Sequence, residues 1–494
     1  MKLKNNFKNV IVEVICMLYI FLFAYAAVSK VMEFENFQAQ LGQSPVLGVY
    51  TGILSYIVII SEVFIALLLV IRKTRLFALY AAVGLMVMFT IYIIIILNFA
   101  SNIPCSCGGV LENMDWKTHL IFNICFLLFG LYGIILESAN LTKFTAVITT
   151  LVITESLIMM GLHLYSENVI HMENPFVRRF TPGSITKISD TKLHNNTLYF
   201  VGKDQNSIYI GDRRAPLHIF SYDSTLKLKQ HFKIKMKEQN FRFLSVKVKI
   251  IAPYFFVMDG TIPIIYRGKI SDWKADVLMK EMGYYFSKPV IIDSAKIAFR
   301  TQDKKSGENN LGLFTFESGL KSKIFPDLLQ KQIDGLFDTD GMTNYSTESK
   351  IFVYLYYYRN QFIVTDDRLQ LKYRGNTIDT TTKAKLKPVF IKEKGERKLA
   401  STKHIVNRLS TIGGNNLFVN SPQLGKYESK EMWDIAAVVD VYNMSSNSYI
   451  SSFYIYNLGS LKMKDMIVLD NNLYVIVGKN LERYKLDKDL KIQL

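Results

Sequence analysis

The sequence predicts a helical membrane bundle followed by an all-β domain, and three observations carry that prediction. Apolar runs crowd the first third of the 494 residues. Beyond about residue 180, aromatic and β-branched residues instead alternate with Lys, Asp and Asn. The two regimes also differ in charge: nine Lys/Arg against eight Asp/Glu before residue 166 leave +1 there, out of a net +17 for the chain. A chain of this length is expected to form two or more domains. The basic part scatters its lysines among Asp and Glu, as a solvated surface does and a nucleic-acid footprint does not. No nucleic acid is therefore expected as a partner.

Five segments have the roughly 20 apolar residues a helix needs to cross about 30 Å of hydrocarbon: residues 9–29, 50–71, 77–99, 117–137 and 144–164. The first runs too long for a signal peptide and continues into Val28-Ser29-Lys30-Val31 without a clear cleavage site, so it is read as retained. The first four spans make a four-helix transmembrane domain over residues 1–140, and residues 141–170 hold the fifth helix and a linker. Lys2, Lys4 and Lys8, then Arg72, Lys73 and Arg75, then Lys143 fall on one side of the bilayer. The positive-inside rule makes that side cytoplasmic. The expectation is a bacterial inner-membrane protein with the N-terminus inside and everything after residue 165 outside. Protease added to intact spheroplasts should trim the C-terminal domain; protection that is lost only on lysis would reverse the orientation.

The loop between the third and fourth spans carries Pro104-Cys105-Ser106-Cys107-Gly108-Gly109. Two thiols one residue apart are too close for an unstrained disulfide. A bridge between them is easily reduced, which suits exchange better than stapling. Metal binding is the weaker alternative, because two thiolates without neighbouring His or Met make a poor closed site, and no metal is expected. Cys16 reads as a small buried hydrophobe. Cys125, about 12 Å below the outer face at 1.5 Å per residue, is a candidate second acceptor of the disulfide. Glu13, Glu62 and Glu155 fall inside spans, where a carboxylate is costly and must face the bundle. Glu62, at mid-depth, is the candidate proton acceptor for disulfide or quinone chemistry; the competing reading is a protonated carboxyl hydrogen-bonded across helices.

The stretch Phe21-Leu22-Phe23-Ala24-Tyr25-Ala26-Ala27-Val28-Ser29-Lys30, followed by Phe37, resembles the opening of DoxX-like and MauE-like membrane proteins. The glutamate of the second span and Cys105-Ser106-Cys107-Gly108-Gly109 resemble MauE in particular, and the resemblance covers residues 8–140. It implies a redox-associated bundle, similar to that of vitamin K epoxide reductase, that assists disulfide formation in periplasmic partners. Ser106 and Gly109 depart from the Gly and Phe usual in that loop, and the C-terminal domain is foreign to the family.

After Glu173-Asn174-Pro175, residues 175–494 read as short strands between turns. His194-Asn195-Asn196-Thr197-Leu198-Tyr199-Phe200, Gly414-Asn415-Asn416-Leu417-Phe418-Val419 and Asp470-Asn471-Asn472-Leu473-Tyr474-Val475 look like one repeated device, a polar turn feeding an aromatic strand. At about 45–50 residues per unit, a β-propeller of six or seven blades fits the length. The aromatic run Tyr354-Leu355-Tyr356-Tyr357-Tyr358 reads as core between blades. All four cysteines precede residue 126, so disulfides do not staple this part. His171, His194, His218, His231 and His404 share no spacing that a metal demands, and the domain reads as a binding module.

The expected function is an integral membrane thiol–disulfide redox protein. Its partners would be a periplasmic thioredoxin-like or cysteine-containing protein and the lipid bilayer, with a quinone as candidate acceptor. The alternative is a non-catalytic, membrane-anchored propeller serving as sensor, scaffold or subunit of an envelope complex.

Overall fold

The computed structural model describes residues 2–34, 37–38, 41, 44, 47, 50–99, 115–138, 141–170, 176–237, 243–280, 284–317, 319–391, 396–400, 404–487 and 490. Cys105, Cys107 and the Glu173-Asn174-Pro175 linker lie outside the described residues. The chain divides into two compact units, Met1–Met172 with Leu386–His404, and Glu173–Lys385 with Ile405–Leu494.

The first unit is built on α1 (Lys2–Met32), α2 (Thr51–Val70), α3 (Arg75–Phe99), α4 (Trp116–Glu137) and α5 (Leu141–Ile170). Each contains a stretch long and apolar enough to cross a membrane: Phe7–Met32, Thr51–Val70, Arg75–Asn98, Trp116–Glu137 and Thr142–Leu162. The chain is a multi-pass membrane protein. On α1, Val12, Ile15, Cys16, Tyr19 and Phe23 recur at helical spacing and are buried against Ala78, Leu79, Ala82, Val83 and Met86 of α3. Small residues let these helices approach closely. A Cβ at Gly130 of α4 would lie 2.5 Å from the Tyr19 hydroxyl, which donates to the Phe126 carbonyl at 2.6 Å. Phe21, Ile53 and Leu157 are exposed, as lipid-facing side chains are. The unit also holds the two-stranded sheet Pro388–Ile391 with Glu396–Leu399.

Among its described residues the second unit is all-β apart from one short helix, α6 (Lys430–Ile435). Its strands form successive antiparallel meanders over residues 198–233, 247–280, 287–325, 341–376 and 409–456, then a last one over 463–486 that Ile185–Lys192 completes by pairing with Asn480–Leu486. The first strands of the meanders are Leu198–Lys203, Lys247–Ile251, Ser287–Ile291, Gly341–Ser346, Leu409–Gly413 and Met463–Leu469. These strands neighbour one another in a closed cycle, so the arrangement is propeller-like. Gly202 is required where the first two inner strands meet, because a Cβ there would sit 2.3 Å from the Ile250 carbonyl oxygen. The predicted aromatic run is core as expected: Tyr354 and Tyr356 are fully buried.

The repeated device does not occupy equivalent places. Leu198–Lys203 opens its meander, whereas Asn416–Ser421 and Asn472–Val477 are second strands. Asn-rich turns lead into any strand of a meander, so the sequence signal marked turns without their order.

Candidate functional site

The second helix supplies the residue around which the site is built. Ser55, Ile59, Glu62, Ile65, Ala66 and Leu69 form the buried face of α2, and Glu62 is placed on that face about 17 Å along the helix from Thr51. Its carboxylate meets Lys30, near the C-terminal end of α1. The Nζ to Oε1 distance is 2.7 Å, and the side chains are 12% and 1% exposed. Lys30 reaches back along its own helix, with Nζ 3.5 Å from the Ala26 carbonyl and 5.7 Å from the centre of the Phe37 ring. A charge that is costly in hydrocarbon is therefore offset by a partner from a helix end.

The pair lines a cavity of ≈ 530 Å³ inside the bundle, whose walls are otherwise largely apolar and aromatic. Ser61, His119, Asn123 and Glu155 also border it. His119 stacks on Trp116 at 5.9 Å, and Trp116 packs edge-on against Tyr92 at 6.4 Å. Glu62 Oε2, His119 Nδ1, Asn123 Nδ2 and Glu155 Oε2 are buried without a hydrogen-bond partner among the described residues. Buried polar atoms are normally paired. An apolar chamber that presents several unmet polar atoms is suited to a lipophilic ligand with a hydrogen-bonding head.

The remaining residues singled out from the sequence fall elsewhere, with one exception. Cys16 is buried in the helix core, and Cys125 is exposed on α4 and does not line the cavity. Glu13 is not in the cavity; it pairs with Arg72, in the turn after α2, at 2.7 Å and with Arg75, the first residue of α3, at 3.8 Å. The exception is Glu155, which lies in the cavity beside Gly84, where a Cβ would be 2.7 Å from its Oε1. Lys30, His119 and Asn123 escape a reading of the sequence alone. Lys30 is visible there as a lone cation closing an apolar run, and Asn123 as a polar residue inside a span.

Comparison with known proteins bears on this bundle. Residues 8–136 match the family model of methylamine utilisation protein MauE. The MauE match contains Lys30, Glu62, His119, Asn123 and both loop cysteines, and it ends before Glu155. No curated protein matched the chain. Among solved structures, similarity is found to a member of the DUF4221 family from Bacteroides vulgatus, at 12% identity, over 62% of this chain and 99% of that one, with a TM-score of 0.40. A protein of unknown function from Bacteroides thetaiotaomicron matches at 10% identity over 61% of this chain and 76% of its own, with a TM-score of 0.37. Hsv2 from Kluyvelomyces marxianus matches at 10% identity over 58% and 74%, with a TM-score of 0.30.

Proposed function

We propose that the protein is an integral membrane thiol–disulfide redox protein whose Cys105 and Cys107 exchange a disulfide with an extracytoplasmic thioredoxin-like or cysteine-containing partner. The observation that supports this reading most is the MauE match, whose residues 8–136 include both loop cysteines as well as the Lys30 and Glu62 that pair on the cavity wall. In the exchange, one partner's dithiol becomes a disulfide as the other's disulfide is reduced, with two electrons and two protons passing between them. The cavity fits a quinone, whose apolar body suits the walls and whose carbonyl oxygens can accept from Asn123 Nδ2 and His119 Nδ1. Bound there, a quinone would supply two-electron, two-proton acceptance. Glu62, ion-paired with Lys30 on the cavity wall, is the proton acceptor of this reading. The β unit is a six-bladed propeller closed by Ile185–Lys192, and it serves as the partner-binding module.

Replacing the resolving thiol should trap the partner. In the Cys107→Ser and Cys105→Ser variants, one is expected to accumulate a reducible mixed-disulfide adduct on a non-reducing gel. Cys16→Ser, altering a residue packed in the helix core, should leave the adduct pattern unchanged. If neither loop variant traps a partner, the exchange reading fails and the scaffold reading stands.

A further inference from the structure

One stretch of the β unit breaks the pattern of scattered charge. From Ser224 to Lys237 the chain holds five lysines and one histidine, with no Asp or Glu among them. It forms the strand Leu228–Lys233 and, after Ile234, the short strand Lys235–Met236. Phe232, Ile234 and Met236 turn inward and pack against the core that holds Val248, Tyr266 and Trp273. Side chains of an extended chain alternate between two faces, so His231, Lys233, Lys235 and Lys237 point outward. All four are exposed.

Strand pairing widens this line into a face. Lys233 lies directly opposite His218, whose Nδ1 is 2.8 Å from His231 Nε2. Lys235 lies directly opposite Lys274, which is exposed as well. Residues opposite each other in a ladder share a face, and like charges so placed are destabilising. One acid answers them: Asp276, two residues beyond Lys274, pairs with Lys237 at 2.6 Å. Lys233, Lys235 and Lys274 have no carboxylate within ion-pair distance among the described residues. Lysines on a sheet edge guard it against pairing with another copy of the same edge. That role accounts for Lys233, on an edge strand, but not for Lys274, whose strand is paired on both sides.

We propose that this face binds an extended acidic segment of a partner protein, with Asp or Glu at every second residue. Alternate residues of an extended chain are about 6.6 Å apart, so the carboxylates on one side of such a segment repeat at the spacing of the outward lysines. The strand Leu228–Lys233 ends its sheet, and its outer backbone edge meets no strand among the described residues. An extended peptide uses such an edge, whereas a lipid surface would match the charge and leave the edge idle. The inference rests on the β unit being the partner-binding module. It uses no cysteine and no residue of the bundle, so its failure and that of the thiol exchange are read separately.

The test is fluorescence anisotropy of a labelled peptide in which Thr and Glu alternate, added to the full chain in nanodiscs of zwitterionic lipid. An isomer with the same residues and its glutamates contiguous is the comparison. The alternating peptide is expected to bind at least about threefold more tightly than the isomer, and Lys233→Gln with Lys235→Gln to weaken it at least about fivefold. Lys274→Gln, on a separate strand, should by itself weaken binding at least about twofold. Lys321→Gln with Lys323→Gln, which removes two alternating lysines from the outer strand of another meander, should leave it within about twofold of native. All these side chains are exposed, and the variants should melt with the native protein. Absence of peptide binding, equal affinity for the two isomers, or binding indifferent to Lys233→Gln with Lys235→Gln overturns the proposal. So does flotation of the nanodiscs with phosphatidylglycerol vesicles that depends on Lys233 and Lys235 while the peptide stays unbound, since it would assign the face to lipid.

Discussion

Arg178→Met is expected to destabilise the β unit by about 3–5 kcal/mol, because it removes one partner of a buried charge network and leaves two carboxylates uncompensated. The Arg178 side chain is fully buried and pairs with Asp440 and Glu428, each at 2.7 Å, whose side chains are 2% and 8% exposed. It also donates to the Gln423 carbonyl at 2.8 Å and stacks on Phe176 at 4.8 Å. Burial opposes its charge, yet Asp440 and Glu428 together hold its pKa above the ordinary arginine value. The network fastens the segment that precedes Ile185–Lys192 to the 409–456 meander, with Asp440 bonded in turn to Ser452 at 2.5 Å. Urea unfolding followed by hydrogen exchange in Ala436–Asn443 checks the magnitude. Adding Asp440→Asn to Arg178→Met should recover part of the loss, since one stranded charge is then removed. A shift below about 1 kcal/mol would mean that the network contributes no more than an exposed pair.

In the bundle, Lys30→Met should have an effect of the same size on stability, about 3–5 kcal/mol, for the same physical reason. Glu62 would be left 1% exposed with no cation beside it. Lys30→Met combined with Glu62→Met should restore folding, because two apolar side chains suit that wall and the isolated charge is gone. The functional outcome is expected to differ: the double variant should still exchange disulfides with its partner at least about tenfold more slowly, having lost the proton acceptor. Thermal unfolding in detergent and the rate of partner oxidation or reduction, measured on the same preparations, separate the two effects. Native turnover in the double variant would reduce the pair to a structural role.

The helical half was legible because its signal is a run of apolar residues with only one satisfactory structure in lipid. The expected span 117–137 corresponds to Trp116–Glu137, and 50–71 to Thr51–Val70. Glu62 stood out for the same reason, as a charge in hydrocarbon. Lys30 and Glu62 are 32 positions apart, so their pairing follows from helix packing and not from any local pattern. The β half was legible as meanders but not in register. The Asn-rich turns mark where strands begin, while strand order depends on which edges meet, as at Gly202 and Ile250. Arg178 and Asp440 lie 262 positions apart. His218 and His231, which share no metal spacing in sequence, face each other across adjacent strands with ring nitrogens at 2.8 Å. No short-range pattern announces any of these pairs; the packing of helices and the pairing of strands bring them together.

The most direct test of the central reading is the redox state of the loop thiols in living cells. Differential alkylation of the full chain, quenched in acid and resolved by mass spectrometry, reports Cys105 and Cys107 separately from Cys16 and Cys125. If the pair exchanges disulfides, a measurable fraction is oxidised at steady state, and that fraction shifts when Lys30→Met with Glu62→Met slows the cycle. Cys105 and Cys107 fully reduced under every growth condition, with no shift in the double variant, would contradict it.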